Sequence, residues 1–181
     1  MKTIKIPTFF HEILGESQTK IELITIMCFA VVATATVLYG TMSEWTSLGA
    51  LKLSVLILLY FDISGGVIAN LSYGTNQHYK VSVKRRLIFI AIHIQPLLLS
   101  LVFSNSWWIC FSVWGYTIIS SLLVNQFYGH PSQKIIGGLM LFIGLIGLQL
   151  IPANIVALQI ILMLFMIKVI YSFSVDHYAS R

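Results

Sequence analysis

The sequence predicts an all-α fold: a polytopic membrane protein built as a bundle of six transmembrane helices. Three observations carry that prediction. Hydrophobic residues fill 57% of the 181 positions and charged residues only 9%, with a mean hydropathy of +0.89, whereas soluble domains carry about 25% charged residues. The apolar segments between the charges run about 18 to 25 residues, enough to cross a hydrocarbon layer of ~30 Å at about 1.5 Å per residue. Lysine and arginine gather in alternate connections, the pattern that sets membrane orientation.

Residues 1–20 read as a cytoplasmic amino-terminal segment. Within it KIPTFFHEILGE is expected to form a short interfacial helix, starting near Thr8 and turning Phe9, Phe10, Ile13 and Leu14 toward lipid. A frayed tail is the alternative. A cleaved leader is not expected, because the apolar run continues past Ala33-Thr34-Ala35 through VLYG. The spans are expected at about 21–40, 48–72, 87–104, 107–128, 134–151 and 154–173. They make one domain, 21–173, followed by a cytoplasmic tail, 174–181. Pro152 and Ala153 leave room only for a tight hairpin between spans five and six. One continuous helix there would be about twice the length a bilayer needs.

With six spans, Lys2, Lys5, Lys20, Lys80, Lys84, Arg85, Arg86, Lys134, Lys168 and Arg181 fall on one side, and the other connections hold Glu44, Asn105 and Asn154. The positive-inside rule then puts both termini in the cytoplasm, with the chain in the cell membrane. Lys52 dissents and is expected to snorkel to the outer interface. Trp45, Trp107 and Trp108 fall at outer boundaries, where amphipathic rings anchor a span. The net charge of +5 does not indicate nucleic acid, because the basic residues flank apolar runs. Lys80, Lys84, Arg85 and Arg86 are instead read as contacts to anionic lipid. The expected partners are the bilayer and either a second copy of the chain or a larger membrane assembly.

The chemistry centres on Asp62, in the middle of LKLSVLILLYFDISGGVIANL. A carboxylate at that depth is costly and marks a functional site by default. On a helix turning 100° per residue, Gly65, Gly66 and Ala69 lie within about 60° of Asp62, and Asn70 about 80° away. One sector of span two is therefore acidic, small and polar. Span three offers His93, about level with Gly66 and within reach of Asp62 or Asn70, directly or through water. On the same face lie Pro96, Ser100 and Arg86, and Pro96 is expected to loosen the helix one turn from His93. Gln95 falls about 160° from His93 and is assigned to another face. Asn125 is expected at the mouth of the same region.

Asp62, His93, Asn70, Gly66, Ser100 and Asn125 are thus the candidates for binding a substrate or a proton. No catalytic residue is assigned. No HExxH helix, GxSxG turn or phosphate loop is present, and the histidines lack i, i+4 spacing, so no metal and no cofactor are expected. Cys28 and Cys110 read as small hydrophobes within spans. Gly65-Gly66 and Gly137-Gly138 sit at comparable places in spans two and five, but their flanks do not match, and no inverted repeat is built on them. Three functional classes follow. The first is a small-molecule or proton-linked transporter component. The second is a membrane-embedded partner without its own chemistry, presenting Ala30, Ala33 and Thr34 or Gly115 to a neighbour. The third is an intramembrane acid–base enzyme acting on a lipid-like substrate, with no positive indication of catalysis.

Overall fold

The computed structural model describes residues 3–152 and 155–179; Lys2, Ala153, Asn154 and Arg181 lie outside the described residues. Among the described residues, six helical stretches are long and apolar enough to cross a membrane: Lys20–Gly40, Ala50–Leu71, Val83–Val102, Trp107–Gln126, Gln133–Leu150 and Val156–Phe173. The chain is a multi-pass integral membrane protein.

The amino-terminal segment is helical from Thr8 to Leu14, within the stretch where a short helix is expected, with Phe9, Phe10 and Ile13 exposed, and two strands flank it. Strand β1 (Thr3–Lys5) pairs antiparallel with β2 (Ser17–Thr19), and a single 3-10 turn (Thr8–Phe10) and helix α1 (His11–Leu14) lie between them. Three-residue strands are too short for an alternating pattern to be read. The hairpin is sewn onto helix α5 (Tyr73–Lys80), which fills most of the connection after span two. Gly15 has φ +70°, and its backbone meets that of Gly74 with no room for a Cβ on either. Buried Gln18 bridges the two elements, donating to Leu14 O, to Ser72 Oγ at 2.7 Å and to Thr75 Oγ1 at 3.3 Å.

Span one, α2 (Lys20–Gly40), begins with a capping box: Glu22 N donates to Thr19 Oγ1 at 3.2 Å and Thr19 N to Glu22 Oε2 at 2.7 Å. Helix α2 packs along span two, α4 (Ala50–Leu71), where Ala30 sits 3.3 Å from where a Cβ on Gly65 would lie. The short helix α3 (Met42–Trp45) joins them and carries Glu44.

Span three is two helices, α6 (Val83–Ile92) and α7 (Gln95–Val102), parted at His93 and Ile94. Pro96 is the cause: it has no N–H for the carbonyl four residues back, and its ring crowds that carbonyl. Span four is α8 (Trp107–Gln126) and span five is α9 (Gln133–Leu150). Span six starts as α10 (Val156–Met166) and ends in a π turn, Ile167–Phe173. The Glu44 carboxylate caps α10, accepting from Val156 N at 3.0 Å and Ala157 N at 2.8 Å, where a helix leaves N–H groups free and favours negative charge.

Span six is the axis of the fold. Its Ala157, Leu158, Ile161, Leu162, Phe165, Val169 and Ile170 are buried in the main apolar cluster with Leu56, Tyr60 and Ile63 of α4. The tail also folds back onto the bundle: Val175 enters the core and packs where Gly137 leaves room, and Asp176 is buried. Lys80 Nζ lies 3.4 Å from Asp176, and Lys134 donates to His177 O at 3.1 Å. The hairpin, α5 and the tail therefore meet at one end of the bundle. Lys52 is at the other, donating to Val102 O at 3.3 Å.

Candidate functional site

The polar spot of span two is paired with span six. Lys168 Nζ donates to Asp62 Oδ2 at 2.9 Å and to the Asp62 carbonyl at 3.5 Å. The Lys168 side chain is 5% exposed and that of Asp62 is 43% exposed, so the ammonium forms the floor of the site and the carboxylate its open wall. Gly66 makes this possible. A Cβ at position 66 would stand 2.9 Å from Lys168 Nζ and closer to its Cε, so the lysine stem runs over the bare backbone to reach the acid.

The π turn supplies the rest of the floor. A π turn leaves carbonyls without their usual i+4 partners, and side chains take several of them. Asn70 Nδ2 donates to Lys168 O at 3.4 Å, Ser174 Oγ to Val169 O at 2.7 Å, and His177 Nε2 meets Tyr171 O at 3.1 Å.

The break in span three supplies the opposite wall. His93 N bonds Ile90 O, which leaves the Phe89 carbonyl without a backbone donor, and the His93 ring turns back so that Nδ1 meets it. A carbonyl only accepts, so Nδ1 carries the hydrogen, and in the neutral ring Nε2 is left as an acceptor. After the break, Gln95 Nε2 donates to Asp62 Oδ2 at 3.1 Å. Assigning Gln95 to another face is therefore corrected: the helical count of 100° per residue does not carry across His93 and Ile94.

Together these groups line a groove of 180 Å³ between α4 and α6–α7. Asp62, Gly66 and Asn70 lie along one side, and Phe89, Ile92, His93 and Gln95 along the other, with Lys168 behind. Tyr79 of α5 and Glu12 and Ile13 of α1 border it at the hairpin end. The Tyr79 hydroxyl donates to Glu12 O at 2.7 Å and to Glu12 Oε2 at 2.8 Å. Burial, and then the bond to Glu12, raise the Tyr79 pKa above the usual phenol value.

No protein-family model, curated protein or solved structure matches the chain. The reading of the site rests on its own geometry.

Four of the residues singled out from sequence, Asp62, Gly66, Asn70 and His93, line this groove. Ser100 lies elsewhere, donating to Leu97 O of its own helix at 2.6 Å. Asn125 is engaged by Arg86, whose Nε donates to its Oδ1 at 2.8 Å. Arg86 is buried: Nη1 donates to Tyr79 O and Lys80 O at 3.2 Å each, and the guanidinium lies 3.7 Å above the Tyr128 ring. It is a lock between α5, α6 and α8, turned away from the surface where a lipid head group would meet it. The Tyr128 hydroxyl beside it is pushed up to about 12 by burial, with a smaller contribution from Asp176. Lys84 and Arg85 remain at the surface, and Lys80 faces Asp176. Among the described residues no cluster of three or more His, Cys, Asp or Glu is arranged to hold a metal ion.

Sequence reasoning missed Lys168, Gln95, Tyr79 and Glu12. For Lys168 the signal was present: a lone charge inside LMLFMIKVIYSF is as costly as Asp62 and calls for a partner. Counting it with the basic residues of the cytoplasmic side hid that. Tyr79 and Glu12 depend on the docking of the hairpin, which no local pattern announces.

Proposed function

We propose that this chain is a transporter, or the membrane-embedded component of one, that moves a small polar solute in exchange or together with protons, and that Asp62 and Lys168 form its coupling pair. One observation carries the reading: the ion pair between spans two and six, buried on the lysine side and open to a groove on the aspartate side. An ion pair taken out of water rarely repays its desolvation, so it is poor at stabilising a fold and good at holding two alternative states. A proton on Asp62, or a charged solute beside it, weakens the hold on Lys168. The broken span three, with His93 and Gln95 at its hinge, is the element whose position such a change would alter.

The partner reading has less to stand on. Ala30 and Thr34 of span one are buried in the chain's own interface, Ala30 beside Gly65. The enzyme reading has Asp62 and His93 lining one groove, with one of the two Asp62 carboxylate oxygens taken by Lys168 and Gln95. The same proposal puts the chain in the cell membrane with the hairpin, α5 and the tail in the cytoplasm, because Lys20, Lys80, Lys84, Arg85 and Lys134 gather at that end. Lys84 and Arg85 would face anionic lipid there.

The test is proton movement. Purified protein in vesicles loaded with a pH-sensitive dye should show proton flux under an imposed pH gradient, and Asp62→Asn should abolish it. Flux that survives unchanged in Asp62→Asn removes the pair from the mechanism.

A further inference from the structure

The groove has unspent hydrogen-bonding capacity beside a negative charge in surplus. Each donor group is anchored on an oxygen. Lys168 Nζ and Gln95 Nε2 both point at Asp62 Oδ2, Asn70 Nδ2 at Lys168 O, and the Tyr79 hydroxyl at Glu12. Each of these accepting oxygens belongs to a carboxylate or a carbonyl, so the amide orientations are chemically forced. One N–H each stays spare on Lys168, Gln95 and Asn70, and so do several acceptors. Asp62 Oδ1 and Asn70 Oδ1 have no donor among the described residues, and Gln95 Oε1 is buried without one. His93 is buried, its Nδ1 is spent on Phe89 O, and Nε2 presents a lone pair. Two carboxylates, Asp62 and Glu12, against one ammonium, Lys168, also leave the lining with a negative charge in surplus.

We propose that this groove binds a small organic ammonium, a primary amine in its protonated form. This rests on the transporter reading above and names its class of solute. Three N–H donors on one cationic centre suit the free oxygens of Asp62 and Asn70 and the His93 Nε2, and the charge completes the neutralisation of the lining. The hydrocarbon part lies along Phe89, Ile92 and Ile13, the apolar side of the groove. At 180 Å³ the space suits a ligand of benzene size or a little larger, since a cavity of about 150 Å³ takes benzene. A carboxylate or phosphate is disfavoured, because it would add to the negative charge of the lining. A neutral alcohol would satisfy only one acceptor and leave the charge unbalanced.

The experiment compares three ligands of one shape on the full chain in detergent: benzylammonium, benzyl alcohol and benzoate, titrated calorimetrically. Benzylammonium should bind at least about tenfold more tightly than either of the others. The preference should fall in Glu12→Gln, which leaves the ion pair in place and removes the surplus charge, and in Asp62→Asn if that variant folds. Equal binding of the alcohol, tighter binding of benzoate, or no binding of the ammonium overturns the proposal. Binding is read without flux, so the two ideas separate. Ammonium binding without proton-coupled movement would sink the transporter reading and keep the ligand class. Asp62-dependent proton flux without ammonium selectivity would do the reverse.

Discussion

At the scale of single residues, the centre is a lysine that reaches its acid across a glycine. Lys168 is buried, and its counter-charge is one carboxylate oxygen at 2.9 Å. Asp62→Asn leaves that ammonium without an anion, which for a buried pair costs about 3–5 kcal/mol. Lys168→Met is expected to cost less, because the Asp62 side chain is the more open of the pair, 43% exposed against 5%, and keeps its hydrogen bond from Gln95. The double variant Asp62→Asn/Lys168→Met should lose less than the two single variants together, with a coupling of about 1–3 kcal/mol. Thermal unfolding in detergent measures all three, and simple additivity would mean that the two charges do not support each other. Gly66 belongs to the same unit: its missing Cβ is what leaves a channel for the lysine stem.

At the scale of elements, span three sets the shape of the groove. Its break at His93 and Ile94 follows from Pro96, and it turns Gln95 onto Asp62 while holding the His93 ring against the Phe89 carbonyl. Pro96→Ala restores an N–H donor and removes the clash with Ile92, so the expected outcome is a straighter helix and a narrower groove. A cysteine at position 95 in a Cys28→Ser background reads this, since Cys110 is buried. Its labelling by a small charged thiol reagent should slow about tenfold when Pro96→Ala is added, corresponding to ~1.4 kcal/mol in the opening equilibrium. An unchanged rate would show that the break is held by packing and not by the proline.

At the scale of the whole molecule, one end of the bundle is a docked assembly of hairpin, α5 and tail, and it should respond to acid. Burial holds the His177 pKa below the usual histidine value, outweighing the bond to the Tyr171 carbonyl, and the Lys134 ammonium lowers it further. The unfolded chain therefore binds a proton to this residue before the folded chain does. The stability it contributes is present above about pH 6.5 and falls as pH drops below that toward the depressed folded value. Hydrogen-exchange protection factors of residues 174–179, with the intrinsic pH dependence of exchange divided out, should fall on acidification, and His177→Gln should flatten that fall; protection independent of pH would contradict it. The orientation proposed from the basic residues is a property of the same end. Periplasm-dependent reporters fused to either terminus should stay silent, and a reporter in the Thr46–Gly49 connection should be active. The opposite pattern would invert the topology.

The amino-acid order was sufficient for the six-span architecture, because crossing a bilayer demands long apolar runs and the chain can meet that demand only locally, one helix at a time. It was sufficient also to single out Asp62, since a lone carboxylate in such a run is conspicuous, and to place a weakness near His93 from Pro96. Its reach ended where partners are separated along the chain. Lys168 is 106 positions from Asp62, and only the packing of span six into the middle of the bundle brings the two charges together. Gln95 was misassigned because a helical wheel presumes an unbroken helix. Arg86 was placed at the lipid surface because charge alone does not reveal that α5, α6 and α8 close around it. Hydropathy is additive along a sequence and so can be summed from it; the pairing of charges depends on which helix faces which, and that is set by the fit of side chains across the whole bundle.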